Sequence, residues 1–592
     1  MGGVCSLKRE YYNADEHLHR RGTSGRYFKC RSSKWLASSF FPLVVDCSPE
    51  GSVSRSLMEL CIHKIREVYL AKGYSQDVRR YGSFSILPRD VSQLIFNDLI
   101  YSCCLSDNSI EAFRHCALQD MVLREYPGVS DSWIDVIASQ GSSLLSLDFS
   151  SAEVTDGSFF LLLENCSNLQ ALTIRHCDQI TGNGLKQVSG FHKLTHLGIK
   201  NSMTATAEQM RFLTSLVNLV KLEIERCPRV HGGLVHIEDL TTLESLNIRG
   251  CKCIVDSDMK SLAGLVNLKE LQTSYVNLTD AGVFYLKGLR KLGLLNMEGC
   301  HITAASLDYL SVLCSLQYLN LSRTDLKDAG CEKFSMLIKL KVLNIGHNNI
   351  TDECLVHLQG LTNIECLNLD SCRIGDDGLA NLAGLINLKI LELSHDKIGN
   401  YGIQHLSGLI NLEDLNLSFT LVTDDGLEKL CGLRSLRSIN LDIRHITDSG
   451  VAALTGLTGL THLDLFGAHI TDSGTKYLPY FNNLQSLDVC GGGLTDDGVK
   501  NIKHLSFLMV LNLSQNPSLT NMTLHHLSGL TGLVSLNVSY SRITNNGLQH
   551  LKSLKNLRSL SLDCCNDSVT ADELQKLQLS ALPNLMKFSP EL

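Results

Sequence analysis

Aromatic side chains are scarce in this chain, 6% of 592 residues with two tryptophans, and there are nine prolines. At this length one ordinary core is excluded, because single cores stop growing near ~300 residues and the chain must divide or repeat. No apolar run approaches the roughly eighteen residues of a membrane-spanning helix, and "SSFFPLVV" is far too short. No secretory apolar segment follows Met1, which favours a reducing cytosolic location and free thiols for the 22 cysteines, with the nucleus left open. Basic residues interleaved with aromatics are missing too, so nucleic acid is not an expected partner.

Metal and catalytic signatures are equally thin. The cysteines lack paired CxxC or CxxH spacing, which leaves no metal site to name. His357, His405 and His526 each precede a helix leucine, with no nucleophile or orienting carboxylate at a recurrent distance. "GGG" at Gly491–Gly493 has no following GK[ST], so it is no phosphate loop. No catalytic residue and no cofactor are expected.

What is present is a repeat. The first leucine of each Leu-x-Leu core falls at Leu147, Leu172, Leu197, Leu222, Leu246, Leu271, Leu295 and so on through Leu391 and Leu415, then Ile439, and on to Leu536 and Leu560. These are eighteen units at spacings of 24 or 25. A period in this range with L-x-x-L-x-L is the leucine-rich-repeat signature. In "LKILELSHDKIGNYGIQHLSGL" the spacing places Leu388, Leu391 and Leu393 inward from a turn and strand, and Leu406 and Leu409 on a helix behind. Many units read TDxG before that helix, as at Thr423, Thr447 and Thr471, where hydroxyl or carboxylate can cap exposed N–H groups.

Cysteine recurs five residues after the core leucine, at Cys177, Cys227, Cys251, Cys300, Cys372 and Cys565, replaced elsewhere by Asn348, Asn516, Thr324 or Thr420. All can donate a hydrogen bond, so a buried ladder serving turn backbone is expected. The pattern resembles the cysteine-containing repeats of F-box/LRR proteins over residues 129–588. The fold expected is α/β: a leucine-rich-repeat horseshoe of about eighteen strand–helix units, residues 126–592, with a small N-terminal three-helix domain.

A parallel sheet of this kind, ~85 Å along its arc at ~4.8 Å per strand, is a binding platform. Asparagine often stands between the core positions, as at Asn296, Asn320, Asn344, Asn368, Asn416 and Asn440, and reads as an amide ladder. His395, Phe419 and Ile443 share one edge position in successive units, with Phe466 one place earlier in the next. Apolar groups clustered among polar ones suggest a protein-partner site on the concave face, while packing on adjacent loops is the structural alternative.

Residues 51–125 break the period and read as three helices. The first carries Leu57, Cys61, Ile65 and Val68 on one stripe, widened by Met58, Ile62 and Tyr69; the second starts at Pro88 with Val91, Leu94, Ile95 and Leu99 inward; the third lies near Ile110, Phe113, Ala117 and Met121. Ser56-Leu57-x-x-x-Cys61-x-x-x-Ile65 resembles the elongin-binding BC-box of von Hippel–Lindau-type receptors. Leu87-Pro88-x-x-Val91-x-x-x-Ile95 resembles the cullin box that follows it, and also the opening of an F-box, although the tryptophan frequent later in an F-box is missing. These resemblances imply an elongin C or Skp-type adaptor and a cullin as partners, with Leu57 and Cys61 as anchors; a cap on the solenoid edge is the alternative.

Residues 1–50 form a basic tail: residues 1–36 carry eight basic against three acidic side chains, although the whole chain is at −8. Its start, "MGGVCS", fits Met-Gly-x-x-x-Ser, so that Gly2 is a candidate for myristoylation and Cys5 for palmitoylation. Two such signals would hold a protein at the cytosolic face of a membrane where one would not. The sequence therefore reads as a non-catalytic substrate receptor of a cullin-RING ubiquitin ligase, or as a membrane-tethered repeat scaffold with no link to ubiquitin.

Overall fold

The computed structural model describes residues 61–62, 64–65, 83–105, 107, 109–124, 126, 128–565 and 569–589. Gly2, Cys5 and Leu57 lie outside them. Twenty strands form one parallel sheet, each paired with its neighbour in sequence, from Asp120–Val122 to Lys587–Ser589. The leucine register is the one the spacing predicts: Leu147 lies opposite Leu172, Leu343 opposite Leu367 and Leu391 opposite Leu415. Alternation along a strand sends these leucines into the core and their neighbours to the open face. Leu388, Leu391, Leu393, Leu406 and Leu409 are all fully buried. Two strands exceed the expected eighteen, centred on Met121 and Phe588, where the leucine signal fails. Among the described residues no helix is long and apolar enough to cross a membrane.

The helical layer is made of short pieces, such as Asp424–Leu427 continued by the 3₁₀ turn Glu428–Leu430. Hydroxyl caps are present: Thr447 Oγ1 accepts from Ser449 N at 3.3 Å, and Thr471 Oγ1 from Ser473 N at 3.2 Å. The carboxylates do something the sequence reading missed. Asp424 reaches across to the next repeat, accepting Thr447 N at 2.9 Å and Thr447 Oγ1 at 2.6 Å. Asp472 holds Thr495 in the same way, at 2.8 and 2.6 Å. Asn400 and Asn521 keep the contact with an amide, on Thr423 and Thr544. The glycine of each TDxG makes room for this clasp. A Cβ on Gly282 would stand 2.5 Å from Asp256 Oδ1, and one on Gly450 would collide with Asp424 Oδ1 and lie 2.9 Å from Ile446 Cγ2.

The cysteine column is the expected ladder. Cys251 Sγ donates to Ile224 O of the preceding repeat at 2.9 Å, Cys300 Sγ to Thr273 O at 3.2 Å and Cys372 Sγ to Ile345 O at 3.5 Å. Asn348 Nδ2 takes the same role on Leu321 O at 2.8 Å, and Asn516 Nδ2 on Val489 O at 3.0 Å. Asp396 is the exception in kind. Its Oδ1 accepts Ile374 N at 3.2 Å, as Asn348 Oδ1 accepts Leu326 N at 3.3 Å. Its Oδ2 then falls where the asparagines carry Nδ2, and it is buried with no partner. A position built to donate to carbonyls is satisfied by a carboxylic acid and not by a carboxylate. Burial, with the charges of Asp370 and Asp352 added, pushes the Asp396 pKa up to about 8, so it stays protonated at neutral pH.

The N-terminal segment differs from the three-helix expectation. Arg89–Tyr101 is a helix, but the third predicted helix is a 3₁₀ turn, Ile110–Phe113, and the first strand of the sheet, Asp120–Val122, which contains Met121. The hydrophobic spacing there served a turn and a strand as well as a helix, and the sheet consequently begins before residue 126. Phe96 and Phe113 meet edge to face at 5.2 Å, and Trp133 Nε1 donates to Asp107 Oδ1 at 2.7 Å. From the helix Gln93 reaches the outer edge of the first strand: its Oε1 accepts Gln119 N at 3.0 Å and Asp120 N at 3.2 Å, and its Nε2 donates to Asp120 O at 2.6 Å. One side-chain amide thus closes an open strand edge as a further strand would.

Two outcomes follow. Gly450→Ala should cost ~1–3 kcal/mol by overpacking the clasp, whereas Gly432→Ala, with nothing within 4 Å of its Cβ, should leave the urea midpoint unmoved. For Asp396 the folded pKa is raised above the unfolded value of ~3.9. Its stabilising contribution is therefore whole below that value, declines as pH rises, and is gone once pH passes through about 8. Asp396→Asn supplies a permanent donor, so the gap in thermal midpoint between variant and wild type should widen from pH 4 to 8 and then level; a constant gap would refute the neutral acid.

Candidate partner-binding face and N-terminal cap

The open face of the sheet is lined by the strand residues on either side of each core leucine. The asparagines between the core positions each close their own turn, and some also bond sideways to the strand before, as Asn416 Nδ2 donates to Glu392 Oε2 at 2.7 Å. Asn320 Oδ1 accepts Ser322 N at 2.9 Å, Asn368 Oδ1 accepts Asp370 N at 2.8 Å and Asn416 Oδ1 accepts Ser418 N at 2.9 Å. Asp464 and Asp488 perform this task in their own repeats, accepting Phe466 N at 3.0 Å and Cys490 N at 2.9 Å. One column earlier, Leu294, Tyr318 and Val342 form an apolar cluster separate from the core, with Cys366 packed beside it. Nothing in the leucine period marks this stripe. Alignment of the residue before each core leucine would have found it.

At the turn edge one residue in nearly every repeat, from Ser151 to Cys564, has left-handed backbone, with φ between +51° and +79°. The column includes His395 and Phe419, whose rings stack at 4.5 Å and 7°. Phe419 remains 46% exposed and Phe466 36%. Ile443 departs from the expectation of an exposed apolar group: it is 3% exposed and is absent from the left-handed series. A β-branched residue enters that region poorly, so the chain takes another path there, with Ile443 N donating to Leu441 O at 2.6 Å. Ile443 thereby becomes the buried member of its turn, as Cys372 and Thr420 are of theirs. The site residues brought together are thus His395 and Phe419, with Phe466 two repeats on; Ile443 belongs to the core.

Charge is handled differently along this face. Lys200 Nζ stands 2.7 Å from Glu223 and 3.1 Å from Glu225, Lys389 Nζ 2.7 Å from Glu365, and His347 Nε2 3.1 Å from Asp370. Burial, and then the charge of Asp464, hold Asp488 above the usual carboxylate range; burial raises Asp464 as well.

In the N-terminal segment Cys61 is exposed, Ile62 is buried, and Ile65 is half-buried against the core. Leu87 and Val91 are half-buried and Pro88 is exposed. Ile95, expected among the adaptor-facing residues, is buried beside Phe96 and Leu99, so its side chain serves internal packing. Leu94, expected inward, is 43% exposed instead, and Ile86 and Tyr101 are exposed at 85% and 78%. The inward stripe is rotated by one residue, because Phe96 and Ser92 face the core with Ile95 and Leu99. Phe96 in "LIFNDL" is the signal that could have shown this.

A family model described as "Leucine-rich repeat region" matches residues 276–522, and a "Leucine Rich repeat" model matches residues 165–189 and 239–263. Among solved structures, the internalin InlF of Listeria monocytogenes is similar at 22% identity over 65% of this chain and 89% of its own, with a TM-score of 0.36. The functional domain of InlJ from the same organism, which includes a cysteine ladder, is similar at 20% over 59% of this chain and 74% of its own, TM-score 0.39. The Arabidopsis receptor kinase HAESA, in complex with the peptide hormone IDA and the co-receptor SERK1, is similar at 16% over 76% and 74%, TM-score 0.43. By its strand register, its buried leucine columns and the matched repeat region, this chain is built as a leucine-rich-repeat solenoid.

Proposed function

We propose that this protein is the substrate-recognition subunit of a cullin-RING ubiquitin ligase, with its N-terminal helices on the adaptor and its target protein on the open face of the repeats. The observation that carries the reading is the outer face of the cap. A helix needed only to close the solenoid would be polar outside, yet Ile86, Leu94 and Tyr101 are exposed there. The BC-box-like stretch from Leu57 to Ile65 precedes them in the chain and suits helix-in-groove recognition, with Leu57 and Cys61 as anchors. In this reading Leu87, Pro88 and Val91 of the cullin-box-like stretch add to that surface, and the buried Ile95 holds the helix that carries it. The protein supplies no chemistry of its own in this reading.

The alternative, a membrane-tethered repeat scaffold, is favoured by "MGGVCS" with Gly2 and Cys5 as acylation sites. The two separate in one affinity purification from cells. Wild type should recover a cullin with either a Skp-type adaptor or elongin C, and the species recovered names the adaptor. Leu57→Asp, and separately Leu94→Asp with Tyr101→Asp, should reduce that recovery at least ~30-fold, as loss of a buried anchor does. Recovery unchanged by both variants, or no cullin with wild type, refutes the ligase. Tyr318→Arg, in the apolar stripe of the open face, should keep the adaptor but lose the target.

A further inference from the structure

The turn edge that borders the open face changes character over five successive repeats, those of Leu367, Leu391, Leu415, Ile439 and Leu463. In each turn one residue faces the core: Cys372, Asp396, Thr420, Ile443 and Ala468 are all buried. The residue after it stands in solvent, which sets Arg373, Lys397, Leu421, Arg444 and His469 in one exposed row. Leu421 is 59% exposed, and Phe419, two residues before it, is exposed as well. Phe419 holds its ring there on left-handed backbone, φ +56°, in a column where other repeats place glycine, as at Gly250, Gly299, Gly467 and Gly491. Core packing does not account for that choice, because the ring stacks on His395, which is itself exposed. An apolar pair thus stands in solvent at the centre of the row.

The charge around that pair is of one sign. Lys397 lies one repeat before it and Arg444 one repeat after, with Arg373 a repeat further out. Among the described residues no ion pair or hydrogen bond engages the side chain of Arg373, Lys397 or Arg444, whereas Lys200 and Lys389 are held by carboxylates of their own chain. The one carboxyl group within residues 371–373, 395–397, 419–421, 443–445 and 467–469 is Asp396, buried and kept as the neutral acid. Asp370 and Asp442 come one residue before these turns; Asp370 is paired with His347, and Asp442 is engaged within the chain. The aspartates that start the helices follow the buried Ile374 and Val422, and Asp376 and Asp424 accept from the next repeat. Exposed cations without partners on both sides of an exposed apolar pair are two independent features that one ligand satisfies together.

We infer that this turn edge, Phe419 and Leu421 between Lys397 and Arg444, receives an acidic segment of the target protein that carries a large apolar side chain. This rests on the reading of the repeats as the target-binding part of the chain and adds the chemistry of the target. The occupant follows from charge complementarity: a basic segment would be repelled, and a purely apolar one would leave the cations without counter-charge. From Arg373 to His469 the row takes four repeat steps, roughly 19 Å at ~4.8 Å per strand. An extended segment of about six residues covers that length. The row is one residue wide in each repeat, which suits a single extended chain and not the plane of a membrane.

The test uses the full chain and a fluorescein-labelled nonapeptide of aspartate and glutamate with phenylalanine at its centre, followed by fluorescence anisotropy beside the same peptide with alanine at the centre and beside nona-arginine. Wild type should bind the phenylalanine peptide several-fold tighter than the alanine peptide, and should not bind nona-arginine. Lys397→Glu with Arg444→Glu should weaken the phenylalanine peptide about tenfold or more. Phe419→Ala with Leu421→Ala should abolish the preference for phenylalanine over alanine, which a purely electrostatic attraction would not show at all. Lys260→Glu with Lys476→Glu reverses the same charge at exposed positions of the helical layer and should change nothing. All four edge side chains are exposed, so thermal midpoints should match wild type; were one pair to lower it, the other pair decides. Absence of phenylalanine-peptide binding, equal loss in the helical-layer control, or tighter binding of phosphatidylserine vesicles or of a poly-uridine strand that the edge variants abolish, overturns the inference. A target lost from cells with Tyr318→Arg but kept with Lys397→Glu and Arg444→Glu would overturn it too while leaving the open-face reading intact, so the two failures are distinct.

Discussion

Each repeat is too small to bury its own leucines, and in many repeats what ties one to the next at the helical side is a single carboxylate, replaced by an amide at Asn400 and Asn521. Asp424, Asp448 and Asp472 each accept the backbone N–H and the hydroxyl of a threonine one repeat on, while that threonine caps its own helix. The glycine two residues beyond each aspartate lies against a side-chain oxygen of the repeat before, the Asn400 amide for Gly426 and the Asp424 and Asp448 carboxylates for Gly450 and Gly474, which leaves it no room for a side chain. TDxG is therefore one motif read across two repeats: the threonine belongs to the contact behind, the aspartate to the contact ahead. With the leucine columns and the sulfur and amide ladder, this fixes the stacking of the sheet, and the open face inherits its regular spacing from it.

The period was legible because burial of leucine demands it, and the structure keeps the register residue for residue from Leu147 to Leu560. The ends were not. Met121 and Phe588 fill leucine sites with other apolar residues, and a three-residue strand leaves too little alternation to detect. The donor ladder could be read from the interchange of cysteine, asparagine and threonine, but Asp396 could not, since its protonation depends on neighbours brought together only by folding.

The candidate sites show the same division. His395 and Phe419 lie together because sequence equivalence in a solenoid is adjacency in space. Ile443 has that equivalence and fails it, because backbone conformation at the edge discriminates against β-branched residues. In the cap, helical periodicity gave the right helix with the wrong rotation: Leu94 and Ile95 are neighbours in sequence, and only the packing of Phe96 against Phe113 decides which faces out.

Gln93 has a meaning beyond local hydrogen bonding. A parallel stack of strands has no intrinsic end, and its first member offers its free edge to any other chain that can add a strand. Gln93 occupies that edge with one acceptor and one donor, set against the backbone of Gln119 and Asp120. The amide acts as a chain terminator for the sheet: backbone groups that a further strand would take are already taken by a side chain of the helix packed beside them.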